Sequence, residues 1–265
     1  MSDRDFGALV GTSAFSAHYP SLAGKRVLVT GGGSGIGAGI VEGFARQQAN
    51  VTFFDIAQEP SRALVQRITE NNAKASYANV DLTDIGALQS TITALIEQSG
   101  PFDILINNAA NDDRHDIETV TEEYWDNRLG VNLKHLFFAS QAVIPAMRAN
   151  GGGAIVNLGS ISWHLGLKNL TLYQTCKAAV EGLTRSLARE LGPDGIRVVC
   201  VVPGNVHTPR QLQWYTPEGE AEIVGAQCMK GRLDPQDIAA MVMFLASADA
   251  RLVTGHSYFV DAGWR

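Results

Sequence analysis

Short runs of apolar residues, many of them β-branched, alternate along the chain with longer segments in which apolar residues recur at helical spacing. The short runs predict buried strands, because Gly, Pro, Asn or Asp residues bound them. The longer segments predict amphipathic helices. The predicted strands are 25–30, 51–55, 75–79, 104–107, 154–158, 197–202 and 257–260, and the predicted helices are 36–48, 59–71, 84–98, 121–149, 170–191 and 235–247.

This regular alternation of strand and helix predicts an α/β fold. Helical connections cover both faces of a parallel sheet, which explains why the strands are continuously apolar. We therefore expect a single Rossmann-type, doubly wound parallel sheet of about seven strands with helices on both faces. Residues 1–20, rich in Ser, Ala and Gly, are expected to form a flexible extension, and residues 21–265 a single domain. An irregular insertion near 205–230 is expected to be a substrate loop.

A glycine-rich segment at 31–37 separates the first strand from the first helix. Glycines let a pyrophosphate approach backbone N–H groups, and the positive end of the helix dipole favours phosphate. Such a run also occurs in ordinary strand-to-helix turns, so its context decides. The second strand ends at Asp55, where a carboxylate can bind the ribose of a dinucleotide. The two features together predict a dinucleotide-binding domain.

Composition and charge narrow the class of ligand. The chain has 265 residues, of which 45% are hydrophobic and 18% charged, and a formal net charge of −6. This argues against nucleic acid and membrane partners and favours a small molecule. No apolar run reaches the roughly 18 residues of a membrane span. Cys176, Cys200 and Cys228 are odd in number and lack metal-like spacing, so we expect reduced thiols, a cytoplasmic protein and no metal site.

Candidate chemistry lies at Ser160 and in the helix that follows it. Tyr173 and Lys177 are four residues apart, so a helix places both side chains on one face. An ammonium group lowers the pKa of a nearby phenol from its usual value near 10, which would let Tyr173 act as a general base. The alternatives are a solvated helix face for this pair and a helix cap for Ser160.

Several short motifs resemble those of one family. The chain contains Thr30-Gly31-x-x-x-Gly35-x-Gly37, Asn107-Asn108-Ala109, Asn132, Ser160, Tyr173-x-x-x-Lys177 and Pro203-Gly204. Their order and approximate spacing resemble the short-chain dehydrogenase/reductase family, from about residue 24 to the C terminus. Ala110 departs from the family pattern, which usually has glycine at that position, and so leaves the local backbone conformation open.

The resemblance implies a role for each matching catalytic residue. Tyr173 is implied as the base and Ser160 as the group that holds the substrate oxygen. Lys177 is implied to bind the nicotinamide ribose and to lower the pKa of Tyr173. Asn132 is implied to position a water in a proton relay, although it could instead be a buried amide with satisfied hydrogen bonds.

The implied cofactor is NAD. Asp55 would accept hydrogen bonds from the ribose diol and repel a 2′-phosphate, and the segments around it offer no basic group. Asp81 resembles an adenine-contacting acid, although it could instead belong to a helix start. The implied cofactor residues are Gly31, Ser34, Gly35, Ile36, Gly37, Asp55, Ile56, Asp81, Leu82, Asn108, Ala109, Tyr173, Lys177, Pro203, Gly204, Val206 and Thr208.

The segments after strands four, five and six should face the substrate. They are polar with scattered aromatic residues, which favours a sugar or polyol over a sterol or an acyl chain. Alternatively, each histidine is structural, and Asp113 and Arg114 form a surface ion pair. The candidate substrate-binding residues are Asn111, Ser160, Ser162, His164, Tyr173, Asn205 and Trp214.

A narrower resemblance covers these segments. Residues 111–115, 159–167, 201–206 and 214–221 and the ending Asp-Ala-Gly-Trp-Arg resemble the aldose 1-dehydrogenases of the family. This implies NAD-dependent oxidation of an aldose at C1 to a lactone by a homotetramer, with D-xylose favoured over L-arabinose, D-galactose or L-fucose. Two other hypotheses stay open, an NADPH-dependent ketone or acyl reductase and a nucleotide-sensing protein without catalysis.

Overall fold

A computed structural model describes residues 15–212 and 215–265 of the chain. Within these residues, seven strands form one sheet: β1 (Arg26–Thr30), β2 (Asn50–Asp55), β3 (Lys74–Asn79), β4 (Ile104–Asn107), β5 (Gly153–Leu158), β6 (Ile196–Pro203) and β7 (Ser257–Val260). Their order is β3-β2-β1-β4-β5-β6-β7, and neighbouring strands are parallel. The predicted fold class is confirmed.

The helices of the described residues connect and flank these strands. They are α1 (Gly35–Arg46), α2 (Gln58–Glu70), α3 (Ile85–Ser99), α4 (Glu122–Leu129), α5 (His135–Ala149), α6 (Ser162–Leu165), α7 (Thr171–Leu191), α8 (Pro209–Leu212), α9 (Pro217–Ala226) and α10 (Pro235–Ala246). The strand order changes direction between β1 and β4, and a crevice forms at such a point beyond the carboxyl ends of the strands.

Two buried clusters cover the two faces of the sheet. Val27 packs in one cluster with Ile40 of α1 and Val242 of α10. Leu28, the next residue of β1, points to the opposite face and packs in a second cluster with Leu88 of α3. All five side chains have an exposed fraction of 0%. Burial on both faces leaves the strand ends as the places where polar groups can meet a ligand.

The predicted helix 121–149 is helical without a break over residues 122–149, but it contains a π turn that the sequence pattern does not show. The α-helical pattern stops at Leu129, a π-helical turn spans Gly130–Lys134, and α5 begins at His135. A π turn inserts extra backbone into a helix and occurs often at functional sites. It carries Asn132, whose side chain is bonded to the backbone of other segments rather than facing solvent.

The insertion at 205–230 is more regular than predicted, because it contains α8 and α9. Thr216 caps α9 by accepting a hydrogen bond from Gly219 N over 3.2 Å, and Pro217 occupies the first turn. Threonine followed by proline is a helix-start signal. The sequence therefore contained the information for this helix.

The described part of the predicted N-terminal extension lies against α1. Gln47, which follows α1, accepts a hydrogen bond from Tyr19 N over 2.8 Å and donates one to Ala17 O over 2.9 Å. Residues 1–14 lie outside the described residues. None of the helices within 15–212 and 215–265 has the length and apolar character needed to cross a membrane.

Candidate active site

A cleft of about 470 Å³ lies at the carboxyl edge of the sheet. Its walls come from the segments that follow β1, β2, β3, β4, β5 and β6 and from one face of α7. Every predicted cofactor residue lines this cleft, so the structure brings together residues from Gly31 to Thr208. The volume is within the usual range for small-molecule sites.

The glycine loop is closely packed against the strand beside it. A Cβ on Gly37 would lie 1.9 Å from Gly31 O, and one on Gly31, whose φ is +67°, would lie 2.7 Å from Ala109 Cα. Asn108 Nδ2 donates to Gly31 O over 2.8 Å and to Thr30 O over 3.0 Å. The Asn108 side chain thus holds the loop in place. Only glycine fits at these two positions without displacing the backbone.

The loop leads into the N terminus of α1 on the cleft wall. Ser34 is the N-cap, and in the described structure its side chain makes no capping hydrogen bond. The N–H groups of the first turn therefore keep their capacity for an anion, which the helix dipole favours. This wall fits the pyrophosphate of a dinucleotide.

Asp55 and Asp81 stand at the adenosine end of the implied site. Asp55 Oδ2 accepts a hydrogen bond from Gly33 N over 2.8 Å, and Oδ1 accepts one from Ala57 N over 2.9 Å. These bonds fix the carboxylate beside the glycine loop and leave further lone pairs on both oxygens. Asp81 Oδ1 accepts hydrogen bonds from Thr83 N and Oγ1 over 2.9 and 2.7 Å. Both carboxylates line the cleft.

Three of the four predicted catalytic residues, Ser160, Tyr173 and Lys177, line the cleft, whereas Asn132 does not. Lys177 Nζ lies 5.5 Å from the centroid of the Tyr173 ring and donates to Leu158 O over 2.7 Å. Ser160, two residues past Leu158, also lines the cleft, where its hydroxyl donates to Ser162 Oγ over 3.0 Å. The Lys177 side chain is almost entirely buried, with 2% of its surface exposed.

Burial controls the ionisation of this pair. It raises the pKa of Tyr173 above its usual value of 10.0, and the negative charge of Asp112 raises it further. The Ser160 hydroxyl and the positive charge of Arg210 act on the Tyr173 pKa in the opposite direction. Burial lowers the pKa of Lys177 from 10.5 to about 8. Lys177 is not among the groups that shift the pKa of Tyr173 in the chain by itself, so the lowering of that pKa by Lys177 stays a prediction.

Asn132 supports the wall from behind. Its Oδ1 accepts a hydrogen bond from Asn111 N over 2.8 Å, and its Nδ2 donates to Asn111 O and Arg128 O, each over 3.0 Å. The side chain is fully buried. Asn132 is thus a satisfied buried amide that fixes the backbone of Asn111, a residue of the cleft wall.

The predicted substrate residues separate into three groups. Asn111, Ser162 and Asn205 line the cleft together with Ser160 and Tyr173. His164 is not among the described residues that line it: its Nε2 lies 2.9 Å from Glu181 Oε1, and its ring stacks on Trp163 with centroids 3.6 Å apart. Trp214 lies outside the described residues.

The sequence reasoning missed Arg210, which lines the cleft, and Arg232, which contacts the cleft residue Asn205. Arg210 of α8 contacts Asn111, Asp112 and Asp113, and Arg232 contacts Asn205 and Glu220. Asp113 pairs with Arg210 and Arg128 rather than with Arg114, the partner suggested by the sequence. No local pattern signals these contacts, because their partners are far apart in the chain.

Comparison with known proteins adds a second kind of observation. A family profile described as enoyl-(acyl carrier protein) reductase matches residues 31–265. The D-xylose 1-dehydrogenase of Caulobacter vibrioides is 60% identical over 250 residues, covering 94% of this chain and 99% of that protein. The chain belongs to the short-chain dehydrogenase/reductase family. The family predicted from the motifs is confirmed.

Further members of the family resemble this short-chain dehydrogenase over most of its length. A Rhizobium meliloti protein named probable galactose dehydrogenase is 44% identical over 250 residues, 94% of this chain and 98% of that one. A solved 7α-hydroxysteroid dehydrogenase, complexed with NADH and 7-oxo glycochenodeoxycholic acid, has a TM-score of 0.89 and 31% identity, with 94% and 98% of the two chains covered. Short-chain dehydrogenases use NAD or NADP.

Ala110 marks the one departure from the family motif. The φ angle of Ala110 is not positive. Its backbone therefore lies in a region open to any L-residue, and the methyl group causes no backbone strain. The residue lines the cleft, where the methyl group adds apolar surface next to Ala109.

Proposed function

We propose that this short-chain dehydrogenase oxidises an aldose at C1 to the corresponding lactone with NAD, and that D-xylose is its substrate. One observation carries the substrate: 60% identity to a D-xylose 1-dehydrogenase across 94% of the chain. The composition of the cleft supports it. The cleft that holds Ser160, Tyr173 and Lys177 is also lined by Asn111, Asp112, Asn205 and Gln211, which suit a ligand with several hydroxyl groups.

The cleft residues divide the chemistry among them. Ser160 donates a hydrogen bond to the C1 oxygen, and Tyr173 removes the proton from that oxygen as the C1 hydride departs. Lys177 would hold the nicotinamide ribose of the dinucleotide and would keep the base in position. When bound, oxidised NAD accepts the hydride and brings a positive charge into the cleft.

Proton removal by Tyr173 requires its phenolate form. Burial raises the pKa of Tyr173, so the chain alone keeps the phenol protonated near neutral pH. A positive charge placed nearby favours the phenolate. We therefore propose that the base becomes competent in the complex with oxidised dinucleotide and substrate, rather than in the free protein.

Asp55 supports NAD as the cofactor. Its carboxylate is fixed by Gly33 N and Ala57 N at the place where the adenosine ribose is expected. A 2′-phosphate would meet this negative charge, and the neighbouring Ser34 and Ile56 offer no positive charge to offset it. The same feature argues against an NADPH-dependent ketone or acyl reductase.

We further propose a cytoplasmic homotetramer built from a single catalytic domain at residues 21–265. Trp125 of α4 and Phe137 of α5 are 43% and 44% exposed, and burial against a second copy would remove this apolar surface from water. Cys176 and Cys200 are buried free thiols, as suits a reducing compartment. Light scattering of the purified chain should give four times the monomer mass.

The test is a spectrophotometric assay of the full-length protein. D-xylose, L-arabinose, D-galactose and L-fucose are each offered with NAD and with NADP, and reduced dinucleotide and lactone are both measured. We expect the highest kcat/KM for D-xylose with NAD and one lactone formed per NADH. Reduction of ketones by NADPH without aldose oxidation would support the reductase instead, and dinucleotide binding without turnover of either kind would support the sensing protein.

A further inference from the structure

Asn205 lines the cleft in the segment that follows β6, and its side chain is held from behind. Arg232 Nη2 donates to Asn205 Oδ1 over 2.8 Å, and the Tyr215 hydroxyl donates to the same oxygen. The Tyr215 hydroxyl also lies 3.0 Å from Gln211 Oε1. Since a phenol has one proton, it serves one of these acceptors at a time. Arg232 is thus the constant donor to Asn205.

This contact determines which end of the amide faces the cleft. A guanidinium group has only donors, so the atom of Asn205 next to Arg232 must be the oxygen. The NH₂ group is then the end that remains for a ligand. A free asparagine can rotate its amide and offer either an acceptor or a donor, whereas this one is limited to donation.

Arg232 is itself well anchored. Its Nη1 pairs with Glu220 of α9, and its guanidinium lies 4.9 Å from the centroid of the Tyr215 ring. The Arg232 side chain is 15% exposed, so these contacts are partly shielded from water. Charge-assisted hydrogen bonds in such surroundings are stronger than neutral ones. The position of Arg232 is therefore fixed independently of Asn205.

We propose that Arg232 is a positioning residue that locks the Asn205 amide so that Nδ2 donates to an oxygen of the sugar substrate. This inference rests on the proposed function. It assigns to this part of the cleft a preference for a substrate that presents an oxygen acceptor here. A substrate lacking that oxygen would leave the Asn205 NH₂ group without a hydrogen-bond partner. An unpaired polar group of this kind discriminates strongly between similar substrates.

A double-mutant cycle on the full-length enzyme tests the coupling. Asn205→Ala and Arg232→Met should each raise the KM for D-xylose about tenfold, the effect of losing one hydrogen bond of about 1.4 kcal/mol, with kcat and the KM for NAD close to wild type. The double variant should be no worse than Asn205→Ala alone, because Arg232 acts through Asn205. Arg232→Lys, which keeps a donor, should recover part of the affinity.

Two further variants distinguish a role of Arg232 in orienting the Asn205 amide from a role in stabilising the surrounding structure. Glu220→Gln removes the negative charge beside Arg232 but keeps an oxygen acceptor for its guanidinium group and leaves the Asn205 contact, so its KM should stay near wild type. Asn205→Asp keeps the acceptor for Arg232 but loses the donor toward the sugar, so it should lose affinity like Asn205→Ala. If Arg232→Met does not fold, Arg232→Lys in a cycle with Asn205→Ala keeps the coupling testable. Each sugar of a series of monodeoxy xyloses lacks one hydroxyl group. One of them should have a higher KM than D-xylose with the wild-type enzyme but the same KM as D-xylose with Asn205→Ala.

Two results would overturn the inference by itself: additive losses in the double variant, or a loss in Glu220→Gln equal to that in Arg232→Met. Both would mean that Arg232 supports α9 rather than the Asn205 amide. A wild-type enzyme that oxidises no aldose would instead overturn the proposed function and this inference with it. The wild-type assay therefore distinguishes the two failures.

Discussion

Arg210 Nε donates to Asp112 Oδ1 over 2.6 Å, although 98 residues separate the two in the chain. The pair joins α8 to the segment that follows β4, and both residues line the cleft. Arg210 Nη2 also donates to Asp113 Oδ1 over 2.6 Å and to Asn111 Oδ1 over 2.8 Å. One guanidinium group therefore links α8 to three consecutive residues of the segment that follows β4.

This pair also sets the charge near Tyr173. The negative charge of Asp112 raises the pKa of Tyr173 and the positive charge of Arg210 lowers it. Arg210→Met should therefore move the ionisation seen in the pH profile of kcat to higher pH, since a favourable positive charge is lost. Asp112→Asn should move the same ionisation to lower pH. Steady-state rates of D-xylose oxidation across pH measure both shifts.

A matched control for Arg210 is Arg148→Met. Arg148 is a second arginine paired with an aspartate, Asp194, but it lies at the end of α5 away from the cleft. Its removal should leave the pH profile unchanged. Shifts of the same sign in Arg210→Met and Asp112→Asn would show that the two charges act on something other than Tyr173.

Lys177 should make stability depend on pH. Its pKa is about 8 in the fold against 10.5 when free, so the unfolded chain binds more protons between these values and stability rises as pH increases through this window. Below about pH 8 the buried amine is protonated in the fold, and its full destabilising effect on the free energy of unfolding is present. Relative to Lys177→Met, the wild-type free energy of unfolding should gain about 2 kcal/mol between about pH 7.5 and about pH 10.

Urea unfolding at the two pH values, without dinucleotide, measures this difference. The free energy of unfolding of Lys177→Met is subtracted from that of the wild type, because the subtraction cancels the ionisation of the other groups common to both proteins. A difference that stays constant would mean that Lys177 keeps its ordinary pKa in the fold, and one that falls as pH rises would mean that the fold raises that pKa; either result contradicts the prediction.

Asp55→Asn should relax the choice of cofactor. The substitution keeps one oxygen acceptor but removes the negative charge that a 2′-phosphate would meet. We expect the ratio of kcat/KM for NADP to that for NAD to rise about tenfold, equal to about 1.4 kcal/mol. Glu59→Gln, an exposed acidic position in α2, is the control and should leave the ratio unchanged. An unchanged ratio in Asp55→Asn would remove Asp55 from cofactor selection.

The sequence predicted the sheet well because its signal is local. Val27 and Leu28 are adjacent, both apolar and fully buried on opposite faces, which a sheet covered on both sides requires. Gly31 and Gly37 indicate the turn in the sequence, because no other residue fits at these positions. The cleft follows from these elements, since parallel strands end at one edge.

Several features of the site could not be predicted from the sequence, because they depend on contacts between segments that are far apart in the chain. The π turn at Gly130–Lys134 accompanies the bonds of Asn132 to Asn111, and no helical pattern reveals those bonds. The roles of Arg210 and Arg232 likewise arise only when α8 and α9 are placed beside the cleft. His164 was predicted from its position in the chain, but the fold turns its ring toward Glu181.

The most direct test of the account is to compare Tyr173→Phe with the wild type in D-xylose oxidation and in NADH binding, the latter followed by fluorescence titration. The substitution removes only the hydroxyl that takes the proton, so turnover should be abolished while the Kd for NADH changes by less than about threefold. Ser160→Ala, as a companion, should lose on the order of 10² to 10³ in kcat. A Tyr173→Phe enzyme that keeps most of its turnover with the wild-type pH profile would contradict the assignment of Tyr173 as the base.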